Sequence, residues 1–167
     1  GPSYRPPRHD QHRFFECTVD RTPTAVAVDD HGERLTYGQL EARANRIARL
    51  LSELGCGPNR RVILFTSKHA DQYAGLLGIL KAGGCWVPFS SAFPAERRRD
   101  LTVSLRPCAA IVDAGCCDAA LAMREASGLN FPVIVLGGSD SNSVSDMYGE
   151  ADVATMSSER PVTFQPT

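Results

Sequence analysis

The sequence lacks long apolar runs and any excess of charge of one sign. Apolar runs such as residues 62–65 fall far short of the ~20 apolar residues that a membrane-spanning helix needs. The 18 Lys and Arg residues are balanced by 19 Asp and Glu residues, which gives a net charge of −1 at pH 7. Binding to nucleic acid depends on several Lys or Arg residues that neutralise phosphates. The composition therefore predicts one globular domain with no membrane segment and no nucleic acid partner.

Cysteine and histidine do not occur at the spacings of a metal site. The six cysteines include no Cys-x-x-Cys pair, and the close histidines His9 and His12 have no second pair of ligands at zinc spacing. An even number of cysteines can form a disulfide framework in a small secreted chain. However, the N-terminus does not resemble a signal peptide, and a chain of this length can bury its own core without cross-links. We therefore expect free thiols in a reducing cytoplasm and no bound metal.

Catalytic motifs are scarce. No Gly-x-Ser-x-Gly nucleophile elbow is present, and no Gly-rich loop joins a strand to a helix as it does in many phosphate-binding proteins. Gly83 and Gly84 follow a predicted helix, and Gly137 and Gly138 lead into a polar stretch. We interpret both glycine pairs as turns.

Three further clusters have both a functional and a structural interpretation. Asp29 and Asp30 resemble the acidic pair of a phosphoreceiver domain, but the third carboxylate is missing and Gly32 favours a turn. The basic residues 97–99 lack interleaved aromatic residues, which favours a solvated helix face over a nucleic acid patch. The adjacent thiols at 116–117 have poor geometry for a disulfide and are interpreted as ordinary thiols. The sequence thus offers no catalytic, cofactor-binding or metal-binding residue.

Short apolar runs alternate with amphipathic stretches from residue 13 onward. Thr36 and Gln39 form a capping box, which starts the best-defined helix. Helices are predicted at 36–54, from 70 to Gly83, after Pro94 and at 117–127. A hairpin is predicted from 25–28 and 33–35, and strands at 62–65, 85–87, 109–112 and 133–136. This order predicts an α/β fold, with a mainly parallel sheet, helices on both of its faces and a small hairpin before it.

The composition divides the chain into three parts. Residues 1–12 are expected to be a flexible tail that begins with the remnant of a protease-cleaved tag, Gly1-Pro2-Ser3. Residues 13–136 hold the α/β layer. Nine of the eleven residues in 137–147 are Gly, Ser, Asp or Asn. Residues 137–167 are therefore predicted to be a polar linker and a tail that stops partway into another element.

Segments spread over residues 12–136 resemble, in order, the start of an adenylation domain of a nonribosomal peptide synthetase. Such domains belong to the AMP-forming acyl- and aminoacyl-adenylate superfamily. The matching segments are FFE at 14–16, RTP at 21–23, AVAV at 25–28, LTYGQL at 35–40, NRIA at 45–48, LKAGGCWVP at 80–88 and AFPAER at 92–97. Together they cover the family's opening and its first two core motifs.

The resemblance implies a two-step ligase. An amino acid reacts with ATP and Mg²⁺ to give an acyl-AMP and pyrophosphate, and then passes to the phosphopantetheine thiol of a carrier. In the family, the phosphate loop and the residues that bind substrate, ribose and magnesium lie beyond the matched segments. The chain is therefore expected to be an excised or naturally truncated N-terminal part of the domain, with no cofactor site, and to be inactive alone. Lys81, in the second core motif, is expected at the surface or at an interface.

Two departures from the family pattern favour an alternative. Ser90 stands where an Asp is usual, and Arg98 stands where an apolar residue is usual. The alternative is a vestigial, non-catalytic domain that serves as a scaffold or protein-interaction module in a natural-product assembly line. In either case the expected partners are neighbouring condensation or carrier domains, with a homodimer as a further option. Helix 36–54 and the surface near Trp86 are the candidate contacts.

Overall fold

A five-stranded parallel sheet, preceded by an antiparallel hairpin, forms the centre of the molecule. The computed structural model describes residues 11–30, 32–137 and 146–161. The strands are β1 (Val26–Asp30), β2 (Glu33–Thr36), β3 (Arg61–Phe65), β4 (Cys85–Pro88), β5 (Ala109–Asp113), β6 (Val133–Leu136) and β7 (Met147–Tyr148). The helices are α1 (Gln11–Arg21), α2 (Tyr37–Glu53), α3 (His69–Lys81), α4 (Ala95–Leu105), α5 (Cys117–Ser127) and α6 (Glu150–Thr155).

The sheet has the order β4-β3-β5-β6-β7, and β1 pairs with β2 as a separate hairpin. Because successive strand residues point to opposite faces, each buried strand supplies two cores. In β3, Val62 and Leu64 enter one core, whereas Ile63 and Phe65 enter the other. Helices α2 and α3 cover the first core, and α4 and α5 cover the second. The predicted fold class is confirmed.

Helix α2 begins where the capping box predicts. The Thr36 hydroxyl accepts a hydrogen bond from the backbone N of Gln39 at 3.1 Å, and the Gln39 side chain accepts one from the backbone N of Thr36 at 3.0 Å. These two bonds satisfy N–H groups that a helix start would otherwise leave without partners. Gly55, with a φ of +82°, follows the helix and turns the chain away.

Helices α2 and α3 approach each other closely at Gly78, where α3 has no side chain. A Cβ added at Gly78 of α3 would lie 2.6 Å from Ile47 Cγ2 of α2. Neighbouring elements leave only Gln39, Ser52 and Glu53 of α2 exposed. Few side chains of helix 36–54 are fully exposed, and its role as a contact surface stays a prediction. Trp86, on the edge strand β4, is half-buried.

Both ends of the described chain differ from the sequence prediction. Helix α1 begins within the predicted tail, and the side chain of His12 is buried rather than solvated. At the other end, β7 extends the sheet parallel to β6, and α6 places Val153 in the core at 2% exposure. These elements are short and polar in sequence, but a few apolar side chains dock on a core that the other strands have already formed. The predicted tag remnant at 1–3, and residues 138–145 and 162–167 of the predicted linker and tail, lie outside the described residues.

Within the described residues, no helix combines the length and the apolar character needed to cross a membrane.

Candidate functional site

The carboxyl ends of β3 and β5 meet at the point where a parallel sheet of this kind usually binds its ligand. Strand β4 lies on one side of β3 in the sheet, and β5 lies on the other side. Helix α3 packs on one face of the sheet and α5 on the opposite face. Such a switch in strand order opens a crevice at the carboxyl ends of the strands, where the N-terminus of a helix can receive an anion.

Asp113, the last residue of β5, fills this crevice with its own carboxylate. Its Oδ2 accepts hydrogen bonds from Ser67 N at 2.6 Å, Ser67 Oγ at 2.7 Å and Lys68 N at 3.0 Å. Its Oδ1 accepts a bond from Cys116 N at 3.0 Å, and the side chain is 1% exposed. Burial alone would raise the pKa of Asp113, but the bonds from Ser67, Cys116 and Lys68 outweigh it and hold the pKa below its ordinary value. Asp113 is therefore ionised.

A second carboxylate, that of Asp30, accepts a hydrogen bond from the first N–H group of α3. The backbone N of His69, the first residue of α3, donates to Asp30 Oδ2 at 3.2 Å. Asp30 comes from the hairpin, so the hairpin is tied to the carboxyl end of the sheet. Three successive N–H groups, at residues 67–69, thus point at carboxylates of the chain itself. Through these bonds the crevice joins β1, β5 and the start of α3.

An ion cluster on the adjacent side joins α2, α3 and α6. Arg43 Nη2 lies 2.8 Å from Asp71 Oδ1 and 2.6 Å from Glu150 Oε1. Glu150 Oε1 also accepts a hydrogen bond from Gly137 N at 2.6 Å. Burial raises the pKa of Asp71, and Arg43 only partly offsets this effect. Arg43 and Glu150 of this cluster, together with Arg46, line a shallow depression of about 460 Å³. The Arg43 guanidinium pairs with the carboxylates of both Asp71 and Glu150, so Arg43 offers no net positive charge to a ligand.

The second core motif of the sequence has a structural role in the interior. Lys81 ends α3 with its side chain 1% exposed, and its Nζ lies 2.6 Å from Glu16 Oε1 and 3.3 Å from Glu41 Oε1. The expectation that Lys81 is a surface or interface residue is therefore wrong. Arg160 reaches the same carboxylates and pairs with Asp20 Oδ1 at 2.8 Å. This five-residue group, the Lys81 cluster, fastens α1, α2, α3 and the segment after α6 to one another.

The segment at residues 158–160 lies along a polar ridge of α2. Asn45 Nδ2 donates to the carbonyl oxygen of Ser158 at 2.7 Å. Arg49 donates to the carbonyls of Glu159 at 2.9 Å and Arg160 at 3.0 Å. The pKa of the Arg160 guanidinium is raised, mainly by hydrogen bonds to Glu41 and then Asp20. The ridge therefore holds the backbone of this segment, and the Lys81 cluster holds its one arginine.

The basic residues 97–99 do not form a free cationic patch. Arg97 stacks over the ring of Phe93 at 4.3 Å, and Arg98 lies over the ring of Phe65 at 5.6 Å. Arg98 also donates to the carbonyl oxygen of Phe93. Arg99 pairs with the adjacent Asp100. Arg97 and Arg99 are exposed, as a solvated helix face predicts, whereas Arg98 is half-buried against an aromatic cluster.

The remaining candidates also have structural surroundings. Asp29 pairs with Arg34 across the hairpin at 3.3 Å. Cys116 is buried, and its burial, aided by Asp113, raises its pKa to about 11. Gly83, with a φ of +82°, ends the turn after α3 as predicted. Across the described ranges, no group of three or more His, Cys, Asp or Glu side chains is placed to hold a metal ion. His9 lies outside these ranges.

A family model for AMP-binding enzymes matches residues 15–166. The chain belongs to the AMP-binding enzyme family. Tyrocidine synthase 3 of Brevibacillus parabrevis is 35% identical to it over 156 residues, and malpinin synthetase of Mortierella alpina is 38% identical over 130 residues. These alignments cover 93% and 77% of the chain and 2% of each synthetase. The chain therefore spans a very small part of the curated relatives that it matches.

Two solved structures share the fold. A nonribosomal peptide synthetase, FmoA3, in its form with bound alpha-methyl-L-serine-AMP, superposes with a TM-score of 0.71 at 28% identity. The match covers 92% of this chain and 15% of that one. A benzoate CoA ligase from Burkholderia xenovorans superposes with a TM-score of 0.77 at 20% identity, and covers 93% and 30% of the two chains. The expected resemblance to adenylation domains of nonribosomal peptide synthetases is confirmed.

Sequence reasoning missed the residues that organise the site. Asp113 directly follows the apolar run 109–112, and an acid in that position of a buried strand is a usable signal for a partner at the sheet edge. Lys81 and Arg160 had no such signal, because their carboxylate partners lie on other helices. In the described part of the chain, both sets of residues join elements of the fold.

Proposed function

We propose that this chain forms the first α/β layer of an adenylation domain, a domain that activates an amino acid with ATP and transfers it to a carrier thiol. The support is the similarity to peptide synthetases over 93% of the chain and the fold shared with FmoA3. The layer positions neighbouring elements rather than reactants. Its natural partners would be the rest of the adenylation domain and the adjoining condensation and carrier domains. Its location would be the cytoplasm.

We further propose that the chain alone makes no adenylate. Formation of acyl-AMP depends on donors that hold the α-phosphate and neutralise the leaving pyrophosphate. The observation that carries the proposal is the occupied helix start, where Asp113 and Asp30 bind the N–H groups of residues 67–69. Mg²⁺ does not fit these residues either, because the Asp113 oxygens already accept four hydrogen bonds.

The test is amino-acid-dependent exchange of pyrophosphate into ATP. The purified chain, assayed with each proteinogenic amino acid, should give no exchange above a control without protein. A complete adenylation domain, run in parallel, shows that the assay works. Amino-acid-dependent exchange that co-elutes with the chain on gel filtration would contradict the proposal. Titration calorimetry with Mg-ATP gives a second measurement, and we expect no binding heat.

The fold accommodates Ser90 and Arg98, the two departures that favour the scaffold alternative. Ser90 Oγ accepts a hydrogen bond from Ala92 N at 3.1 Å, so it caps the turn that an Asp would otherwise cap. Arg98 covers Phe65 and bonds to the carbonyl of Phe93. Both departures are thus compatible with an intact fold, and the scaffold role stays the alternative proposal.

Sequencing the reading frame past the codon for Thr167 separates the two proposals. A Ser/Thr/Gly-rich loop ending in Lys within the next ~15 residues is what an active domain requires. A direct transition into another domain would instead support the scaffold role.

A further inference from the structure

The ridge of α2 that holds residues 158–160 is used only in part by that segment. Asn45 is 2% exposed, and its Nδ2 donates to the carbonyl oxygen of Ser158 at 2.7 Å. The other end of the same amide, Oδ1, is buried and accepts no hydrogen bond within the described part of the chain. The reversed orientation of the amide is unfavourable, because its oxygen would then face the carbonyl oxygen of Ser158. A buried acceptor without a donor therefore lies beside the docked backbone.

This unused acceptor indicates a ligand with a backbone N–H group. In an extended chain the N–H and C=O groups of one residue point to the same side, where a group with one donor and one acceptor binds both. The Asn45 amide has both functions, and the Ser158 backbone uses one of them. An extended segment that also donates its N–H to Oδ1 would satisfy the amide completely. Residues 158–160 thus occupy a peptide-binding ridge without making all of its hydrogen bonds.

The far end of the ridge binds a guanidinium group. Nη2 and Nη1 of Arg160 lie 2.8 Å and 3.4 Å from the two carboxylate oxygens of Asp20. The Arg160 Nε donates to Glu41, and Nη2 also donates to the backbone carbonyl of Glu16 at 3.3 Å. All three guanidinium nitrogens therefore have acceptors, which matches the forked set of donors that arginine provides. An ammonium group has no such fork, so the site distinguishes arginine from lysine.

The segment on the ridge is held by polar contacts rather than by burial. Val153 of α6 is 2% exposed, whereas residues 157–160 are exposed. Docking of these residues depends on hydrogen bonds from Asn45 and Arg49 and on the ion pairs of Arg160. The net free energy of such bonds is modest, because each replaces another bond of the same kind. A segment with the same groups from another molecule therefore competes for the ridge.

We propose that the α2 ridge and the carboxylates of Glu16, Asp20 and Glu41 bind an extended, arginine-bearing segment of a partner protein, and that residues 158–160 occupy this site in the isolated chain. The incoming arginine takes the position of the Arg160 guanidinium, and its backbone uses both ends of the Asn45 amide. The proposal concerns a different surface from the Asp113 crevice and does not depend on the proposed adenylation function.

Charge and shape both fit this ligand. Release of Arg160 leaves three carboxylates opposite one cation, Lys81, so the site attracts a positively charged side chain. A depression of about 490 Å³ adjoins the ridge, between Arg49, Ser52 and the residues at 155–157. This depression gives room for the residues that flank the bound arginine.

Fluorescence anisotropy with the full 167-residue chain tests the site. The probe is a labelled peptide with the sequence of residues 156–161, in which Gln replaces the glutamate. Arg160→Ala removes the competing guanidinium, so we expect saturable binding at least tenfold tighter than to the parent chain. The same peptide with Lys in place of its arginine should bind Arg160→Ala at least tenfold more weakly. Arg99→Ala, which removes an arginine of α4, is the matched control and should bind like the parent chain.

N-methylated peptides test the unused acceptor of Asn45 without changing the protein. A methyl group on the peptide nitrogen equivalent to that of Ser158 removes the N–H that Oδ1 would accept. Binding to Arg160→Ala should then weaken at least threefold. Methylation at the position equivalent to Ser157 should have little effect, because successive N–H groups of an extended chain point to opposite sides.

The proposal is overturned if the arginine and lysine peptides bind equally, or if Arg160→Ala binds no more tightly than the parent chain while circular dichroism shows it to be folded. Equal effects of the two N-methyl groups would also contradict it.

The unsubstituted chain provides a second measurement that needs no variant. Endoproteinase Glu-C cuts after glutamate, and the Glu159 carbonyl is held by Arg49 in the docked segment. The arginine peptide at millimolar concentration contains no glutamate and should release the segment, which raises the rate of cleavage after Glu159 at least threefold. The lysine peptide should leave this rate unchanged, and cleavage after Glu150 of α6 serves as the internal reference. An equal rate with either peptide would refute the competition between the segment and the ligand.

Discussion

The Lys81 cluster should contribute more to stability than any surface ion pair of the molecule. Lys81→Met keeps the length and apolar stem of the side chain and removes its charge. The two nearest carboxylates, on Glu16 and Glu41, are 19% and 11% exposed and would then face each other with Arg160 as their nearest cation. Removing one partner of a buried ion pair typically costs about 3 to 5 kcal/mol. We expect about 3 kcal/mol, because Arg160 still neutralises part of the charge.

Urea unfolding at neutral pH, followed by circular dichroism, measures this cost. With an m-value of about 2 kcal/mol per molar, the midpoint should fall by about 1.5 M. The matched control is Arg34→Met, since Arg34 and Asp29 form a pair at 3.3 Å whose side chains are 71% and 55% exposed. This control should change stability by about 0.5 kcal/mol or less. Equal losses in the two variants would refute the argument that burial decides the strength of these pairs.

The double variant Lys81→Met/Glu41→Leu tests the cause of the loss. Replacing both members of a buried pair by apolar residues of similar volume is often close to neutral. The double variant should therefore recover at least half of the stability lost in Lys81→Met, which corresponds to a coupling of about 1.5 kcal/mol or more. An additive double variant would mean that lost packing, and not an unpaired carboxylate, destabilises the single variant.

Four further predictions concern other contacts. Gly78→Ala should cost about 1 to 3 kcal/mol in urea unfolding because its Cβ would overlap α2, whereas Gly57→Ala, with open space around the added Cβ, should be close to neutral. Thr36→Ala should cost about 1 kcal/mol and Thr36→Ser should restore most of it, since the hydroxyl caps α2. The folded pKa of Asp113 lies below its ordinary value of 3.8, so the stability that Asp113 contributes is complete above pH 3.8 and is lost as the pH falls through the folded pKa. The free energy of unfolding of Asp113→Asn should therefore drop further below that of the parent chain as the pH rises from about 3 to about 7. Burial raises the pKa of Asp71, so its ionisation destabilises the fold as the pH rises above 3.8. In the same series of urea titrations, Asp71→Asn should therefore gain stability relative to the parent chain as the pH rises.

Local sequence signals were sufficient for most of the secondary structure. The predicted strand 133–136 and helix 117–127 match β6 and α5, and the capping box gave the start of α2. These elements have dense apolar residues or a capping motif of their own. By contrast, β7 and α6 were predicted as linker and tail, because their few apolar residues become informative only when a core is present to receive them.

The candidate site was less predictable for a related reason. Asp113 looks like an acid at the end of a strand, and its role depends on N–H groups that come from the loop after β3. The family resemblance placed Lys81 in a core motif but gave no partners for it. Its carboxylates come from α1 and α2, at sequence separations of 65 and 40 residues. Charge patterns along one helix do not reveal such partners.

The ridge on α2 has a consequence for how the segment after α6 tolerates change. Asn45 and Arg49 bind only carbonyl oxygens of residues 158–160, and every residue type presents a carbonyl oxygen there. Substitutions at positions 158 and 159 should therefore accumulate with little effect on docking. Position 160 is different, because its guanidinium is shared among three carboxylates. Among variants selected for folding, we expect a nearly fixed arginine directly after two freely varying residues.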